Sequence, residues 1–215
     1  MDTDPGPEGG VSLVYPAMKL PSRLLLGAVA GLRAEGLERL PQEGPLLLLP
    51  NHQSMADPFV VQSVFPRRVH SMTKSTQFSS GAMRWLLPRL GAFPVRRYRI
   101  DPQAVRTLLR LLEVGAVVCV YPEGERTWDG RLQPFRKGAL RVALRAGVPI
   151  VPVGIRGAFD FWPRWLSRPR RGARLSVHFG EPLEPGAMLD RDERELALPG
   201  FEADLRERIS ILAGL

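Results

Sequence analysis

His52 stands two residues after an apolar run, Pro45–Pro50 (PLLLLP), and Asp57 follows five positions later. Imidazole is the side chain suited to moving protons near neutral pH. Across a tight turn, the Asp57 carboxylate is placed to accept from the ring, fix its tautomer and leave the other nitrogen as a base. The same spacing also fits a plain helix start, with Asp57 as N-cap, Pro58 at the first helical position and His52 in the turn. A second polar segment, Tyr121-Pro122-Glu123-Gly124-Glu125-Arg126-Thr127, again follows an apolar run. Gly124 permits positive φ or close approach to a ligand. Arg126 offers a planar fork of donors suited to phosphate. In isolation this segment fits a surface turn equally well, with Arg126 paired to a neighbouring glutamate. Gly91–Arg97 ends in two arginines and by itself reads as a basic loop. Val148–Val153 by itself reads as an apolar strand.

These segments need elements to carry them. Apolar runs bounded by breakers predict strands at Pro45–Pro50, Ala116–Tyr121, Ile150–Ile155 and Leu175–Phe179, with further extended segments at Arg68–Met72 and Ala92–Val95. Asp101–Glu113 carries the clearest helix pattern. Asp101 caps it, Pro102 opens it, Val105, Leu108, Leu109 and Leu112 share a face, and Gly115 stops it. Helices are also expected at Asp57–Phe65, Ser80–Leu90 and Lys137–Ala146. Prolines break two other helical stretches: Val14–Arg33 at Pro16 and Pro21, and Arg191–Leu212 near Pro199. The alternation predicts an α/β fold, a mostly parallel central sheet flanked by helices, with a short N-terminal helical segment. Residues 1–13 are expected to be a disordered tail, and 14–215 a single domain.

Composition narrows the chemistry further. The chain has 215 residues with 44% hydrophobic and 24% charged, which excludes wholesale disorder. Cys119 is the only cysteine, so no intramolecular disulfide and no cysteine-rich zinc site can form. No metal site is expected, and a reducing, cytoplasmic setting fits. Asp2, Asp4 and Glu8 precede the first apolar stretch, where a secretory signal wants positive charge. The longest clean apolar run near the N-terminus, Leu24–Leu32, falls far short of the roughly 20 residues that span a bilayer. Net charge is +8, and ten Lys and Arg lie between Val60 and Arg110 against Asp101 alone. Such a basic half favours anionic partners: phosphorylated metabolites, an anionic membrane surface or nucleic acid. No nucleic-acid motif accompanies the charge, so a basic nucleic-acid-binding module is the alternative from a different class and nucleic acid is not the expected partner.

In order along the chain, four segments resemble the four blocks of the glycerolipid acyltransferases, the 1-acylglycerol-3-phosphate acyltransferases and their relatives. Asn51, His52, Ser54 and Asp57 match N-H-x-S-x-x-D. Gly91 through Arg97 match a glycine-containing apolar segment ending in arginine. Pro122, Glu123, Gly124 and Arg126 match F-P-E-G-x-R-S, with Tyr121 for Phe and Thr127 for Ser. Val148–Val153 match V-P-I-x-P-V. Glu125 departs from the small residue often found at its position.

The resemblance implies direct transfer of an acyl group from a thioester to a hydroxyl. His52 would be the base and Asp57 its orienting partner. Arg97 and Arg126 would hold the acceptor's phosphate, Glu123 and Gly124 would shape the pocket, and Lys74 is a further phosphate candidate. The acceptor implied is 1-acylglycerol 3-phosphate, giving phosphatidic acid. Another lysolipid or a lipid-like alcohol is the alternative. The co-substrate would be acyl-CoA or acyl carrier protein, with no bound cofactor. A lipid acceptor implies a peripheral position on the inner face of the membrane. Residues 14–33 and the aromatic, arginine-rich Phe159–Arg171 are the segments expected to meet it.

Overall fold

A computed structural model of the protein describes residues 13–98, 101–184 and 190–215. Residues 1–12 of the expected tail lie outside the described residues. The elements in chain order are α1 (Val14–Ala30), β1 (Arg33–Glu35), β2 (Leu46–Pro50), α2 (Asp57–Val64), β3 (Val69–Lys74), α3 (Gly81–Arg89), β4 (Ala92–Val95), α4 (Pro102–Glu113), β5 (Val117–Cys119), α5 (Lys137–Ala146), β6 (Ile150–Arg156), α6 (Ala158–Phe161), β7 (Ser176–Phe179) and α7 (Arg191–Ala213). Seven strands form one sheet in the order β1-β7-β6-β2-β5-β3-β4. Every pairing is parallel except β6 with β7. The α/β class and the mostly parallel sheet are as the alternating pattern predicts.

The continuous apolar runs arise because both sheet faces are covered. In β2 successive side chains alternate faces. Leu46 and Leu48 join a core with Val60, Val64 and Phe65 of the α2 side. Leu47 and Leu49 join a second core with Leu108 and Leu112 of α4, Leu140 of α5 and Leu205 of α7. All four leucines are at most 1% exposed. Withdrawing each from water is worth about 1.5–3 kcal/mol, which anchors β2 at the centre of the sheet. α7 lies close over β6 at Gly154, where an added Cβ would fall 2.1 Å from the Leu212 carbonyl carbon.

Two helices run through prolines that the sequence pattern reads as breaks. α1 is one helix of 17 residues with Pro21 inside it. Pro16 sits in its first turn, where a missing N–H costs nothing. Gly31, at φ 57°, stops it, with its N–H donating to the Gly27 carbonyl. α7 continues through Pro199 for 23 residues, started by a capping box between Asp190 and Glu193. In α7, Leu198, Leu205 and Ile209 are buried, and that packing offsets the hydrogen bond that Pro199 removes. β1 has no apolar run to announce it. It exists because β7 offers it a parallel edge.

Candidate active site

β2, β5 and β4 run parallel, so the loops after them emerge on one side of the sheet. Ligands of open α/β sheets bind outside those carboxyl ends. β2 delivers Asn51 and His52, β5 delivers Tyr121 to Thr127, and β4 delivers Arg96 and Arg97. Asn51 pins the end of β2 to the neighbouring strand. Its Nδ2 donates to the Ile155 carbonyl at 3.0 Å, and its Oδ1 accepts from the Ile155 N–H at 2.7 Å. The side-chain amide thus extends the ladder by one step, and His52 follows from a fixed point.

The His52 ring nitrogen Nδ1 lies 2.7 Å from Asp57 Oδ2. The same oxygen accepts from the backbone N–H groups of Gln53 at 2.7 Å and Ser54 at 2.8 Å. Three donors therefore converge on one carboxylate oxygen. This corrects the expectation that Asp57 caps its helix: α2 has no side-chain cap bond, and the carboxylate turns back onto the loop before it. Because Asp57 can only accept, Nδ1 carries the proton, and Nε2 is left as the basic lone pair. Among the described residues Nε2 has no hydrogen-bond partner. Burial pushes the His52 pKa below the usual 6.5, against the opposing pull of Asp57; Arg97 and Arg126 add to the lowering. The ring is thus neutral, and basic, at neutral pH.

Tyr121 supplies a wall for the imidazole, its ring stacked 4.0 Å from the His52 ring at 25°. Its hydroxyl is buried, and burial holds its pKa well above 10. Ser54 is not free to act as a nucleophile: its Oγ donates to the Trp162 carbonyl at 2.8 Å and accepts from the Ala56 N–H. Cys119 is fully buried and its thiol is pushed up to about 12, an inert core group. His178 pairs with Glu35 at 3.1 Å, and His70 sits in β3; neither joins the site.

Glu123 differs from the expectation that it shapes the acceptor pocket. It is 2% exposed and faces inward. One carboxyl oxygen accepts from the His52 N–H at 2.6 Å and the other from the Gln133 N–H at 2.7 Å. Burial raises its pKa to about 7, against those two donors. Glu123 therefore braces the backbone of His52. Glu123→Gln leaves two N–H donors facing one carbonyl oxygen and an NH₂ group, so one donor loses its acceptor. A displacement of about 1 Å at a reacting group costs on the order of 10²-fold. The expected result is a kcat lower by about one to two decades with KM unchanged, and equal kcat in the two proteins would remove Glu123 from the positioning of His52.

Gly124, at φ 74°, turns the chain after Glu123; an added Cβ would meet Arg136 Cγ at 3.0 Å. Arg97 and Arg126 are half-buried and both act on His52 through their charge. Neither guanidinium has a hydrogen bond or ion pair among the described residues. Lys74 comes from the strand end next to that of Arg97. It is exposed at the end of β3, opposite Val95, with no hydrogen bond or ion pair to the site among the described residues. The structure adds groups that spacing did not indicate. Arg136 donates to the Glu123 carbonyl at 3.3 Å and to Glu125 Oε1 at 3.1 Å. Arg164, from the segment after α6, donates to the Arg126 carbonyl at 2.9 Å.

Beside this cluster opens a cavity of about 460 Å³, walled by Met72, Val95, Leu108, Val120 and Val142, with Arg97, Tyr121, Gly124 and Arg136 also on its lining. Its size lies within the usual range for a small-molecule site. Among the described residues no group of three or more His, Cys, Asp or Glu is placed to hold a metal ion.

Comparison with known proteins places these residues in a family. Residues 31–156 match the family model described as Acyltransferase, more than half of the chain. A chloroplastic 1-acyl-sn-glycerol-3-phosphate acyltransferase of Brassica napus is 34% identical over 134 residues, covering 60% of this chain and 38% of that protein. The 1-acyl-sn-glycerol-3-phosphate acyltransferase of Bacillus subtilis is 25% identical over 191 residues, covering 88% and 92%. The chain thus spans well under half of the plant relative but aligns with nearly all of the bacterial one. A crystal structure of the 1-acyl-sn-glycerophosphate acyltransferase of Thermotoga maritima has the same fold, with a TM-score of 0.73 and 23% identity, over 92% of this chain and 80% of that one. The matched region carries His52, Asp57, Arg97 and Arg126 together, on the strand ends that bring them to one place, and the chain belongs to the acyltransferase family.

Proposed function

We propose that this protein transfers a fatty acyl group from a thioester, acyl-CoA or acyl carrier protein, to the sn-2 hydroxyl of 1-acylglycerol 3-phosphate, giving phosphatidic acid. The observation that carries this reading is the buried His52–Asp57 pair next to Arg97 and Arg126, with Nε2 and both guanidiniums unpaired among the described residues. Nε2 takes the hydroxyl proton as the oxygen attacks the thioester carbonyl carbon. The tetrahedral intermediate collapses and expels the thiolate, which takes the proton back from the imidazolium. Asp57 offsets the charge that the ring carries in between. An acyl-enzyme is not part of the scheme, since Ser54 is engaged elsewhere and the Cys119 thiol is buried and protonated. Arg97 and Arg126 suit the acceptor's phosphate, and the apolar cavity suits an acyl chain. An acyl-transfer assay across lysolipid acceptors with both donor types tests the reading. Turnover with no lysolipid acceptor from either donor would overturn it.

We further propose that the protein works from an anionic membrane surface. Among the described residues no helix is long and apolar enough to cross a bilayer. α1 instead turns an apolar face outward: Leu20 is 61%, Leu24 64% and Leu25 63% exposed. Lys19, on the same helix, reaches inward to the Phe65 and Pro66 carbonyls. Met55, just before α2, and Phe59, in its first turn, are also exposed, Phe59 beside Met18 of α1. The segment 159–171 contributes less than its composition suggests. Phe161 is buried, and Trp162 is tucked under with Nε1 bonded to the Leu166 carbonyl. Phe159 packs edge-on against Trp165, which stays exposed. Each leucine withdrawn from water contributes about 1.5–3 kcal/mol. Leu24→Ser with Leu25→Ser is therefore expected to weaken co-sedimentation with anionic liposomes at least ~10-fold. Activity on a bilayer acceptor falls with it, and activity on a short-chain soluble acceptor does not. Unchanged co-sedimentation would remove α1 from the membrane contact.

A further inference from the structure

Arg164 lies eight residues beyond Arg156, where the match to the family model ends. Nothing in the four motif segments points to it. The chain after α6 nevertheless folds it back onto the loop that carries Arg126. Its Nη1 donates to the Arg126 carbonyl at 2.9 Å, and its guanidinium carbon sits 3.2 Å from the centre of the Trp128 ring. Nη1 is also 3.7 Å from Glu125 Oε2. The side chain is 20% exposed. A guanidinium with one face on an indole and one edge on a carbonyl is held flat, and its remaining N–H donors keep a fixed direction.

Arg164 also crowds the two arginines already assigned to the acceptor. It acts through its charge on both Arg97 and Arg126, and Arg97 acts on Arg126 in turn. Three partly buried guanidiniums gather here, and the carboxylate that offsets them, Glu125, is shared with Arg136 at 3.1 Å. Asp57, whose charge also acts on Arg126, has its Oδ2 taken by His52 and its loop. Such a surplus of positive charge favours an anion in the gap, and a doubly charged one over a singly charged one. Glu125 is the residue at which the motif departs from its small counterpart. Its place beside Arg164 and Arg136 gives that departure a use: it steadies two guanidiniums whose mutual repulsion would otherwise spread them.

We propose that Arg164 is a specificity-determining residue, a third phosphate-binding cation that makes this site prefer an acceptor carrying a phosphomonoester over one carrying a phosphodiester, with Glu125 as its positioning partner. The proposal rests on the reading that Arg97 and Arg126 face the acceptor's phosphate. A monoester carries close to two charges at neutral pH; a diester carries one. A charge-assisted hydrogen bond of this kind is worth roughly ten- to a hundredfold in binding.

The test compares wild type, Arg164→Gln and Arg164→Lys on two acceptors, 1-acylglycerol 3-phosphate and the same lysolipid with its phosphate esterified to glycerol. Arg164→Gln is expected to raise KM for the monoester ~10–100-fold and leave KM for the acyl donor within about twofold. The monoester-to-diester ratio of kcat/KM falls about tenfold. Arg164→Lys keeps the charge without the flat fork and falls between the two. A ratio unchanged in Arg164→Gln, or KM values that rise in parallel for both acceptors and the donor, would overturn the proposal. Should Arg164→Gln not fold, the lysine variant decides, and an unchanged ratio there overturns it as well. Wild-type protein that acylates neither acceptor sinks the proposed function itself, so the two failures are told apart.

Discussion

Replacing His52 with alanine is expected to lower kcat by roughly 10²–10⁴, the usual share of a positioned general base, while the fold survives. The ring is 6% exposed, but its hydrogen bond runs to Asp57, which keeps two backbone donors without it. The pH profile gives an independent reading. Burial holds the ring's pKa below 6.5, so in wild type the acid limb of kcat/KM lies below that value. Protonation of Glu123, whose pKa burial raises to about 7, gives an earlier and shallower step, and the steeper decline follows when the buried ring finally takes a proton. The limb disappears in His52→Ala. An acid limb below 6.5 that survives in His52→Ala, or turnover in the variant close to wild type, would take His52 out of the proton transfer.

Asp57→Asn separates the charge of the carboxylate from its shape. All three donors, from His52, Gln53 and Ser54, meet Oδ2, and Oδ1 is buried without a partner. An asparagine can put its carbonyl oxygen where Oδ2 was and its NH₂ in the place of Oδ1. The loop and the ring tautomer are then kept, and the negative charge beside the developing imidazolium is lost. At about 4 Å and an effective dielectric near 20, that charge is worth about 4 kcal/mol, or roughly 10³ in rate. The expected result is kcat lower by about three decades with little change in Tm. Asp57→Ala removes the acceptor as well, leaves buried N–H groups unpaired at about 1–3 kcal/mol each, and lowers Tm together with activity. Wild-type kcat in the asparagine variant would show that the charge has no part in the rate.

The two substitutions also mark where local signals stop. His52 and Asp57 are five residues apart, and a tight turn after a buried strand is enough to bring them together. That much is written in the types and spacing of Asn51 to Asp57. So are the strand in the four leucines Leu46–Leu49 and the helix in Asp101, Pro102 and the spacing of Leu108 and Leu112. A run buried on both faces, an N-cap and a 3.6-residue period are properties of short stretches of chain. The α/β class follows from their alternation.

Other features depend on which strands become neighbours, and no short stretch holds that information. Glu123 braces His52 across 71 residues because β5 lies beside β2. Asn51 clasps Ile155 across 104 residues because β6 lies on the other side. Lys74 has the right charge and comes from a strand on the same edge, yet it stands exposed, with no hydrogen bond or ion pair among the described residues. Arg164 sits among aromatic and basic residues that suit a membrane rim, and the turn after α6 carries it to the Arg126 carbonyl instead. Prolines give the same lesson in reverse. Pro21 and Pro199 carry a strong local preference for a break, about 3 kcal/mol or more, and in α7 the burial of Leu198, Leu205 and Ile209 outweighs it. The chain alone determined the hydrogen-bonded His52–Asp57 pair, the main elements and the fold class, because each is a matter of neighbours in sequence. The tertiary structure decided which arginines gather beside His52 and that Glu123 holds its backbone. Those contacts form between segments that sheet order brings together, where the sum of packing exceeds any single local preference.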